Sequence, residues 1–471
     1  MGLRLAARAN GVAELHGAVS REMFSELWPD LPATETPIGH VTNGVHARSW
    51  VSNDVDALLS GVIGDDWHLA DHDDWDRIRH VSHHEIWEVR NRGRRELVEM
   101  VRRLLGDDLL DPDILTIGFA RRFATYKRST LLLGQLDRLR ALLLDADRPV
   151  QFVFAGKAHP ADHPVKELIR EIQRIASESD VAHRFVFVPD YDIGIARTMY
   201  HGCDVWLNTP RRPMEACGTS GMKAALNGVL NCSIRDGWWD EMSLDDQSPS
   251  NGFDIPSFDG DHDLARRDRR EASAAFDVIE QRIVPAYYDR GDDGVPHRWI
   301  DHIVANWATL GWRVTASRLV RDYVLGLYEP AAAAGDRATA GNGEGARELT
   351  AWKQHVASSW DGVHIHLEPG SAGVADGAAG EVRHLRATVQ SGAIDQDALT
   401  VQILHGPLAR DGSFDPARLT VDAMEHVGDG RYEGSFIPTG AGRWGLTVRA
   451  LPTHPGLSSI FETGLVAVDG R

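Results

Sequence analysis

Cysteine is scarce in this sequence, which has three in 471 residues: Cys203, Cys217 and Cys232. The number is odd and no two of them form a C-x-x-C pair, which argues against a disulfide framework or a zinc site and predicts a cytoplasmic protein with free thiols. No signal peptide and no apolar run long enough to span a bilayer are visible. The formal net charge of -19 argues against a nucleic-acid binder or a binder of anionic membranes, and it is compatible with a neutral polymer such as a carbohydrate as substrate.

The order of apolar runs predicts an α/β protein followed by an all-β region. Between residues 111 and 235, short strand-like runs such as 185–188 and 205–208 alternate with helical ones, which is the pattern of a doubly wound parallel sheet. Residues 331–345 are rich in Ala, Gly and Asp and are predicted to form a linker. After residue 361, short alternating runs predict the strands of an antiparallel β-sandwich, at residues 363–367, 382–390, 399–404, 432–437, 446–451 and 465–468. The predicted division is a helical region, a Rossmann-like lobe, a linker with a short helix, and the sandwich: residues 1–110, 111–330, 331–360 and 361–471.

Residues 215–223 read E-A-C-G-T-S-G-M-K and carry the strongest chemical signal. They lie between a strand-like run and a helix-like run, where a Gly/Thr/Ser turn presents backbone N–H groups to an anion, usually a phosphate. Lys223 can act there as a point charge or as an amine that traps a carbonyl. For Glu215 two alternatives to a sugar contact stay open, namely capping of the following helix and an ion pair with Arg211 or Arg212.

Three further segments follow predicted strands, where open α/β sheets bind ligands. Residues 118–128 read G-F-A-R-R-F-A-T-Y-K-R, a cationic loop that suits phosphate groups, with a solvated basic loop as the alternative. Residues 154–160, F-A-G-K-A-H-P, end a strand in Gly-Lys and offer a weaker anion contact. Residues 188–194, V-P-D-Y-D-I-G, place Tyr191 where it could line a pocket, with ordinary loop packing as the alternative.

Taken together, these segments and three others resemble the α-glucan phosphorylases, the glycogen and maltodextrin phosphorylases with the GT-B fold. The longest match is E-A-C-G-T-S-G-M-K-A-A-L-N-G, residues 215–228. The matching motifs occur in the family's order over roughly residues 1–330, and the form R-R-F-A-T-Y-K-R is similar to a divergent bacterial branch. The other motifs are N-G-V-A-E-L-H, T-N-G-V-H-A-R-S-W, R-R-F-A-T-Y-K-R, A-G-K-A-H-P and N-G-F-D-I.

The resemblance implies a hexosyltransferase that cleaves α-1,4-glucan with inorganic phosphate, reversibly and with retention, to give glucose 1-phosphate. It implies pyridoxal phosphate as cofactor and no metal. Because two phosphates side by side repel each other, a cluster of Arg and Lys is required between them. The implied site residues are Lys223 as the cofactor's Schiff-base lysine; Thr219, Ser220, Gly221 and Arg121 near the cofactor phosphate; Trp50 and Tyr191 in the cofactor pocket; Arg122 and Lys127 on the substrate phosphate; and Glu215, Gly218, Asn43 and His16 on the glucosyl unit.

The resemblance also predicts limits. The N-terminal lobe of the family is missing from this sequence, so a fragment with little or no activity by itself is expected, needing that lobe or a homo-oligomer as partner. Asp192 replaces a cation and Ala124 replaces a histidine of longer members. Two other functions stay open: a nucleotide-sugar-dependent, glucan-synthase-like transferase of the same fold, and a non-catalytic glucan-binding remnant. In the sandwich, Trp444 and Tyr432 are predicted either to form a sugar platform or to pack in the core.

Overall fold

The computed structural model describes residues 2–29, 31–106, 109–159, 161–368, 379–410, 412–415, 418–440 and 442–470. The chain divides into two units. The α/β unit consists of Gly11–His16 and His40–Tyr323, and the sandwich unit consists of Met1–Asn10, Gly17–Gly39 and Val324–Arg471. Pro160, the last residue of the A-G-K-A-H-P motif, lies outside the described residues.

Helices surround the central sheet of the α/β unit, and one long helix precedes the β-rich part of the sandwich unit. In chain order they are α1 (Gly2–Leu5), α2 (Glu14–Met23), α3 (Ala47–Trp50), α4 (Asn53–Val62), α5 (His72–Asp76), α6 (His83–Leu105), α7 (Leu136–Leu144), α8 (His163–Ala176), α9 (Ile193–Gly202), α10 (Thr219–Leu226), α11 (Trp238–Met242), α12 (Leu264–Val278), α13 (Val284–Tyr288), α14 (His297–Leu310), α15 (Ala316–Tyr323) and α16 (Glu329–Ser359).

Strands fall into one parallel set and two antiparallel sets, besides two strands of two residues near the start of the chain. In chain order they are β1 (Asn10–Gly11), β2 (Gly39–His40), β3 (Leu115–Arg122), β4 (Val150–Lys157), β5 (Phe185–Val188), β6 (Val205–Asn208), β7 (Leu230–Ile234), β8 (Gly252–Ile255), β9 (His364–Leu367), β10 (Arg383–Gln390), β11 (Leu399–Pro407), β12 (Thr420–Ala423), β13 (Glu425–Gly428), β14 (Arg431–Phe436), β15 (Trp444–Pro452) and β16 (Ala467–Val468).

The α/β unit is built on a six-stranded parallel sheet of order β5-β4-β3-β6-β7-β8. Side chains alternate between its two faces: Phe152 and Phe154 pack into one core cluster, and Val153 and Ala155 pack into another. Both faces are therefore covered, as expected for parallel strands joined by helices. This arrangement confirms the doubly wound sheet predicted from the sequence.

Helices α6 and α9 pack closely against each other, and two glycines set the distance between their backbones. Ser82 caps α6 by accepting a hydrogen bond from the N–H of Glu85 at 3.2 Å. Further along α6, Gly93 lies so near α9 that an added Cβ would sit 2.3 Å from the carbonyl oxygen of His201. Gly202 has the same role from the other helix, since its Cβ would lie 2.3 Å from Leu97. Glycine is required at this crossing because no side chain fits between the two backbones.

The sandwich unit holds two four-stranded antiparallel sheets, of order β13-β14-β10-β9 and β12-β11-β15-β16. One apolar core lies between them and includes Leu385 and Ala387 from the first sheet and Val401 and Val448 from the second. This confirms the predicted antiparallel sandwich. Tyr432 is buried and donates a hydrogen bond to Gln396 Oε1 at 2.9 Å.

The predicted sugar platform is therefore not formed by the two aromatic residues that suggested it. Tyr432 belongs to the sandwich core, and Trp444 packs partly buried against that core. Core packing, the alternative for both residues, describes their environment in this structure.

The structure differs from the linker predicted at residues 331–345. These residues lie within α16, whose backbone leaves the helical region at Ala340, Gly341, Asn342 and Gly343. The division into four domains stays a prediction. Among the described residues, no helix combines the length and the apolar character that crossing a membrane requires.

Replacing Gly93 by alanine is expected to lower the free energy of unfolding by about 1–3 kcal/mol, because the added methyl group collides with α9. Denaturant titration of the Gly93→Ala variant and the unchanged chain measures this loss. Gly61→Ala in α4 is the matched control, since a Cβ there meets no atom within 4 Å. That variant is expected to keep its stability or to gain up to about 1 kcal/mol from helix propensity. Equal midpoints for Gly93→Ala and the unchanged chain would contradict the close crossing.

Candidate active site

A carboxylate held by two cations forms the centre of the site at the carboxyl edge of the parallel sheet. Glu215 Oε2 lies 2.8 Å from Lys127 Nζ and 3.2 Å from Arg121 Nη1. Tyr126 donates a weaker hydrogen bond to Glu215 Oε1 at 3.4 Å. Glu215 and Arg121 are both more than nine-tenths buried. Arg121 is the penultimate residue of β3 and Lys127 ends the short 3-10 turn Thr125–Lys127, so the cluster joins these two cations to a carboxylate about 90 positions further along the chain.

Arg121 extends this cluster to the neighbouring strand and to α10. Its Nη2 donates to the side chain of Asn208, the last residue of β6, and to Ser220 Oγ at 3.2 Å. Asn208 in turn donates to Asn231 Oδ1 at 3.2 Å. One guanidinium therefore ties the ends of two parallel strands to the first turn of the helix that carries Lys223.

Asp236 holds the backbone of Glu215 in place. Its two carboxylate oxygens accept the N–H of Glu215 at 3.0 Å and the N–H of Gly237 at 2.9 Å. Burial raises the pKa of the Asp236 carboxyl to about 7, against these two N–H donors, which act to lower it. This residue follows β7 and did not emerge from the sequence reasoning, because a lone Asp-Gly pair after a strand is common.

Two glycines, Gly218 before α10 and Gly221 in its first turn, shape the start of this helix. Gly218 has φ +87°, in the left-handed region, and its Cβ would lie 3.3 Å from Glu215 Cγ. Gly221 sits against Asn231, whose Oδ1 would lie 2.4 Å from an added Cβ. Thr219, Ser220 and Gly221 make up the first turn of α10, so their backbone N–H groups lie at its electropositive end.

Lys223 projects from α10 onto an aromatic surface. Its Nζ lies 3.7 Å from the centroid of the Trp50 ring and 5.8 Å from that of Tyr200. Burial lowers the pKa of the Lys223 ammonium. Among the residues described, none forms a hydrogen bond or an ion pair with Nζ. The structure therefore presents a half-buried amine that has an aromatic neighbour and no counter-charge.

Asn227 and Tyr200 arrange the surroundings of this amine. The Asn227 side chain donates to the carbonyl oxygens of Trp50 and Lys223, each at 2.9 Å, so it links the end of α10 to α3. The ring of Tyr200 meets Trp50 edge to face at 5.7 Å, and a side-chain hydrogen bond joins the hydroxyls of Tyr200 and Tyr191. Burial raises the pKa of Tyr191. Tyr191 and Trp50, both predicted for one pocket, are thus connected through Tyr200.

The residues predicted to contact the sugar are brought together in part. Asn43 is hydrogen-bonded to Cys217, which follows Glu215 by two positions in the sequence. Burial raises the pKa of the Cys217 thiol to about 12, against hydrogen bonds from the backbone and side chain of Asn43. His16 Nδ1 accepts the N–H of Val12 at 3.1 Å. Within the described part of the chain, no hydrogen bond joins His16 to the Glu215 cluster.

The cations within residues 118–128 differ in their burial and in whether a carboxylate pairs with them. Arg122 is exposed, and no carboxylate pairs with it among the described residues. Burial lowers the pKa of the Lys127 ammonium, the charges of Arg121 and Arg122 add to this lowering, and Glu215 opposes it. Arg128 is buried instead and pairs with Asp268 at 2.7 Å and with Glu271 at 2.6 Å. Arg128 therefore anchors α12 and does not belong to the anion-binding loop in which the sequence placed it.

One alternative for Glu215 is wrong. Arg211 pairs with Asp268 at 2.7 Å, and Arg212 pairs with Asp240 and with Asp259. Neither arginine reaches Glu215, because both turn toward carboxylates on α11, on α12 and in the loop before α12. Lys157, the lysine of the Gly-Lys strand end, is exposed at the end of β4.

Comparison with known proteins agrees with this fold. A family model described as carbohydrate phosphorylase matches residues 2–245, and a second, described as glycogen phosphorylase C-terminal domain, matches residues 360–469. The chain belongs to the carbohydrate phosphorylase family. The second match shows that the sandwich has a counterpart among glycogen phosphorylases.

Two curated relatives show which members of the family this chain is similar to. The chain is 45% identical to a glycogen phosphorylase of Mycobacterium tuberculosis H37Rv, over 99% of this chain and 56% of that protein. It is 32% identical to a maltodextrin phosphorylase of Thermococcus litoralis, over 100% of this chain and 57% of that protein. The chain thus spans about half the length of the curated relatives it matches.

The Lys223 amine is expected to lose its proton at a lower pH than an exposed lysine, because burial disfavours the charged form. Pulse acylation across pH 6–10 with peptide mass spectrometry gives the midpoint of labelling for each lysine. The chain has five, Lys127, Lys157, Lys166, Lys223 and Lys353, so exposed Lys157 is an internal control. A midpoint for Lys223 at or above that of Lys157 would contradict the described environment.

Proposed function

We propose that this chain serves in the reversible phosphorolysis of α-1,4-glucan, such as glycogen or maltodextrin, with inorganic phosphate, giving glucose 1-phosphate with retained configuration. This is a hexosyltransferase reaction. The observation that carries the proposal is that α10 brings an amine close to a cluster of cations. Lys223 projects from α10 with no partner for its Nζ among the described residues, and Arg121 of the cation cluster donates to Ser220 of the same helix.

Pyridoxal phosphate is the proposed cofactor, and the residues present fit it. An amine with a lowered pKa and no counter-charge is suited to react with the aldehyde of such a cofactor. Lys223 would hold it, with Trp50 and Tyr191 beside it. The N–H groups of Thr219 and Ser220 at the start of α10 would face an anion, beside Gly221, whose N–H donates to the carbonyl oxygen of Gly218 at 3.3 Å, and Arg121 adds a positive charge. When bound, the cofactor supplies a phosphate with a second pKa of about 6, which suits proton exchange near neutral pH.

Substrate phosphate is assigned to Arg122 and Lys127. Arg122 is exposed at the end of β3, and its positive charge adds to the lowering of the Lys127 pKa that burial and Arg121 cause. A phosphate between Arg122 and Lys127 would offset this repulsion and would raise the pKa of Lys127. A guanidinium can bind two phosphate oxygens at once, and the ammonium adds a point charge. The substrate phosphate would thereby be oriented toward the glucosyl carbon that it attacks.

Glu215 is assigned to the hydroxyls of the glucosyl unit, together with Asn43, Gly218 and His16. Its carboxylate already accepts hydrogen bonds from Lys127 and Tyr126 and is fixed by Asp236 through its backbone. A carboxylate so engaged is placed to accept further hydrogen bonds and not to attack a sugar. The proposed reaction accordingly relies on phosphate groups where glycoside hydrolases use two carboxyl groups.

Incubating the chain with pyridoxal phosphate and reducing it with borohydride is expected to attach the cofactor to Lys223. Peptide mass spectrometry locates the adduct, and the near-ultraviolet absorbance follows its uptake. Lys223→Ala is expected to abolish the adduct, and Lys157→Ala is expected to leave it unchanged. A chain that stays colourless and instead binds a nucleotide sugar in equilibrium dialysis would support the nucleotide-sugar-dependent transferase and refute the proposal.

Lys127→Gln is expected to weaken the binding of inorganic phosphate to the chain loaded with pyridoxal phosphate about tenfold or more, since a charge-assisted hydrogen bond contributes about 1.5–3 kcal/mol. Titration followed by phosphorus NMR measures the dissociation constant. Lys157→Gln removes the same charge from the end of the adjacent strand and is expected to leave that constant unchanged. An equal effect of both substitutions would show that the cation at residue 127 has no specific role in binding phosphate.

A further inference from the structure

Two histidines outside the candidate active site face each other at the starts of two helices. His83 is the first residue of α6 and His297 is the first residue of α14. Their Nδ1 atoms lie 3.0 Å apart, and the planes of the two rings are tilted by 38°. Both rings are partly exposed, with 31% and 48% of their side-chain surfaces accessible.

The outer nitrogen of each ring is directed at its own carboxylate. His83 Nε2 lies 3.4 Å from Asp301 Oδ1, and His297 Nε2 lies 3.2 Å from Asp293 Oδ1. A carboxylate at Nε2 favours the tautomer that carries its proton on that nitrogen. Both Nδ1 atoms are then left as acceptors, so two unprotonated nitrogens lie 3.0 Å apart and repel each other unless a positive ion is shared between them.

We propose that His83 and His297 form a site for a divalent transition-metal ion that prefers imidazole ligands. With metal–nitrogen bonds of about 2.0–2.1 Å, two nitrogens 3.0 Å apart subtend an angle of roughly 90° at the metal. That angle belongs to the square-planar and octahedral arrangements of Cu²⁺ and Ni²⁺ and is smaller than the tetrahedral angle that Zn²⁺ adopts. Water would fill the remaining positions, because the rings are accessible to solvent.

The surrounding charges are arranged for a cation. Asp293 and Asp301 correspond to the outer carboxylates that commonly orient metal-binding histidines and raise their basicity. They also offset the positive ends of α6 and α14, which would otherwise disfavour a cation. Arg298, the nearest cation along the chain, is paired with Asp289 at 3.6 Å. A bound ion would link the starts of two helices that both pack in the core of the α/β unit.

Calorimetric titration of the full chain with Ni²⁺ tests the site, with Mg²⁺ as the ion that should not bind. The sequence holds 22 histidines, so the informative quantity is the difference between variants. His297→Asn and His83→Asn are each expected to lose one Ni²⁺ equivalent or to weaken it at least tenfold. His84→Asn alters the exposed neighbour of His83 and is the matched control, expected to bind like the unchanged chain. Asp293→Asn is expected to weaken binding about tenfold, as outer carboxylates commonly do.

Thermal unfolding supplies a second measurement and shows whether each variant folds. Ni²⁺ is expected to raise the midpoint of the unchanged chain and of His84→Asn, and not that of His297→Asn, since an ion that binds the folded state stabilises it. The metal-free midpoints of all variants should agree within a few degrees. Ni²⁺ binding that is the same in His83→Asn, His297→Asn and the unchanged chain would overturn the proposal and would leave the two rings sharing a proton.

Discussion

The pairing of Glu215 with Arg121 and Lys127 is the interaction on which the candidate active site depends. Cations gathered at the ends of parallel strands repel one another, and burial makes that repulsion more costly. A carboxylate between two of them offsets the repulsion and fixes their positions. Glu215 can do this because Asp236 holds its backbone and because Gly218 lets the chain turn immediately after it. The cluster of Arg121 and Lys127 can thus be folded without a bound anion, because Glu215 supplies the negative charge.

A single buried arginine on α6 supports the amine side of the candidate site. Arg90 on α6 donates to the carbonyl oxygen of His201 at 2.7 Å and to that of Asn227 at 2.8 Å. The first carbonyl belongs to α9, which carries Tyr200, and the second follows α10, which carries Lys223. Because one fully buried guanidinium satisfies both helix ends, the ring of Tyr200 and the amine of Lys223 are placed from the same point. The close α6–α9 crossing at Gly93 is part of this support.

Sequence reasoning predicted the strands well where they are apolar and buried on both faces. Phe185–Val188 and Val205–Asn208 were predicted with their bounds, since each is a short run of large apolar residues between turns. Thr420–Ala423 and Glu425–Gly428 were missed because they are mostly exposed and carry no apolar alternation. The location of the site also followed from the strand order, since parallel sheets present their carboxyl ends to ligands.

Partners within the site could not be predicted in the same way. Arg121 and Arg128 occur in one short basic run and look equivalent in the sequence, yet the first reaches Glu215 and the second turns inward to Glu271. Such pairings join residues about 90 to 140 positions apart, so only the folded chain decides them. The distinction matters chemically: Asp268 and Glu271 neutralise Arg128, whereas no carboxylate among the described residues pairs with Arg122 at the sheet edge. Which cation stays without a counter-charge is therefore set by which arginines the helices neutralise, and not by how many the basic segment contains.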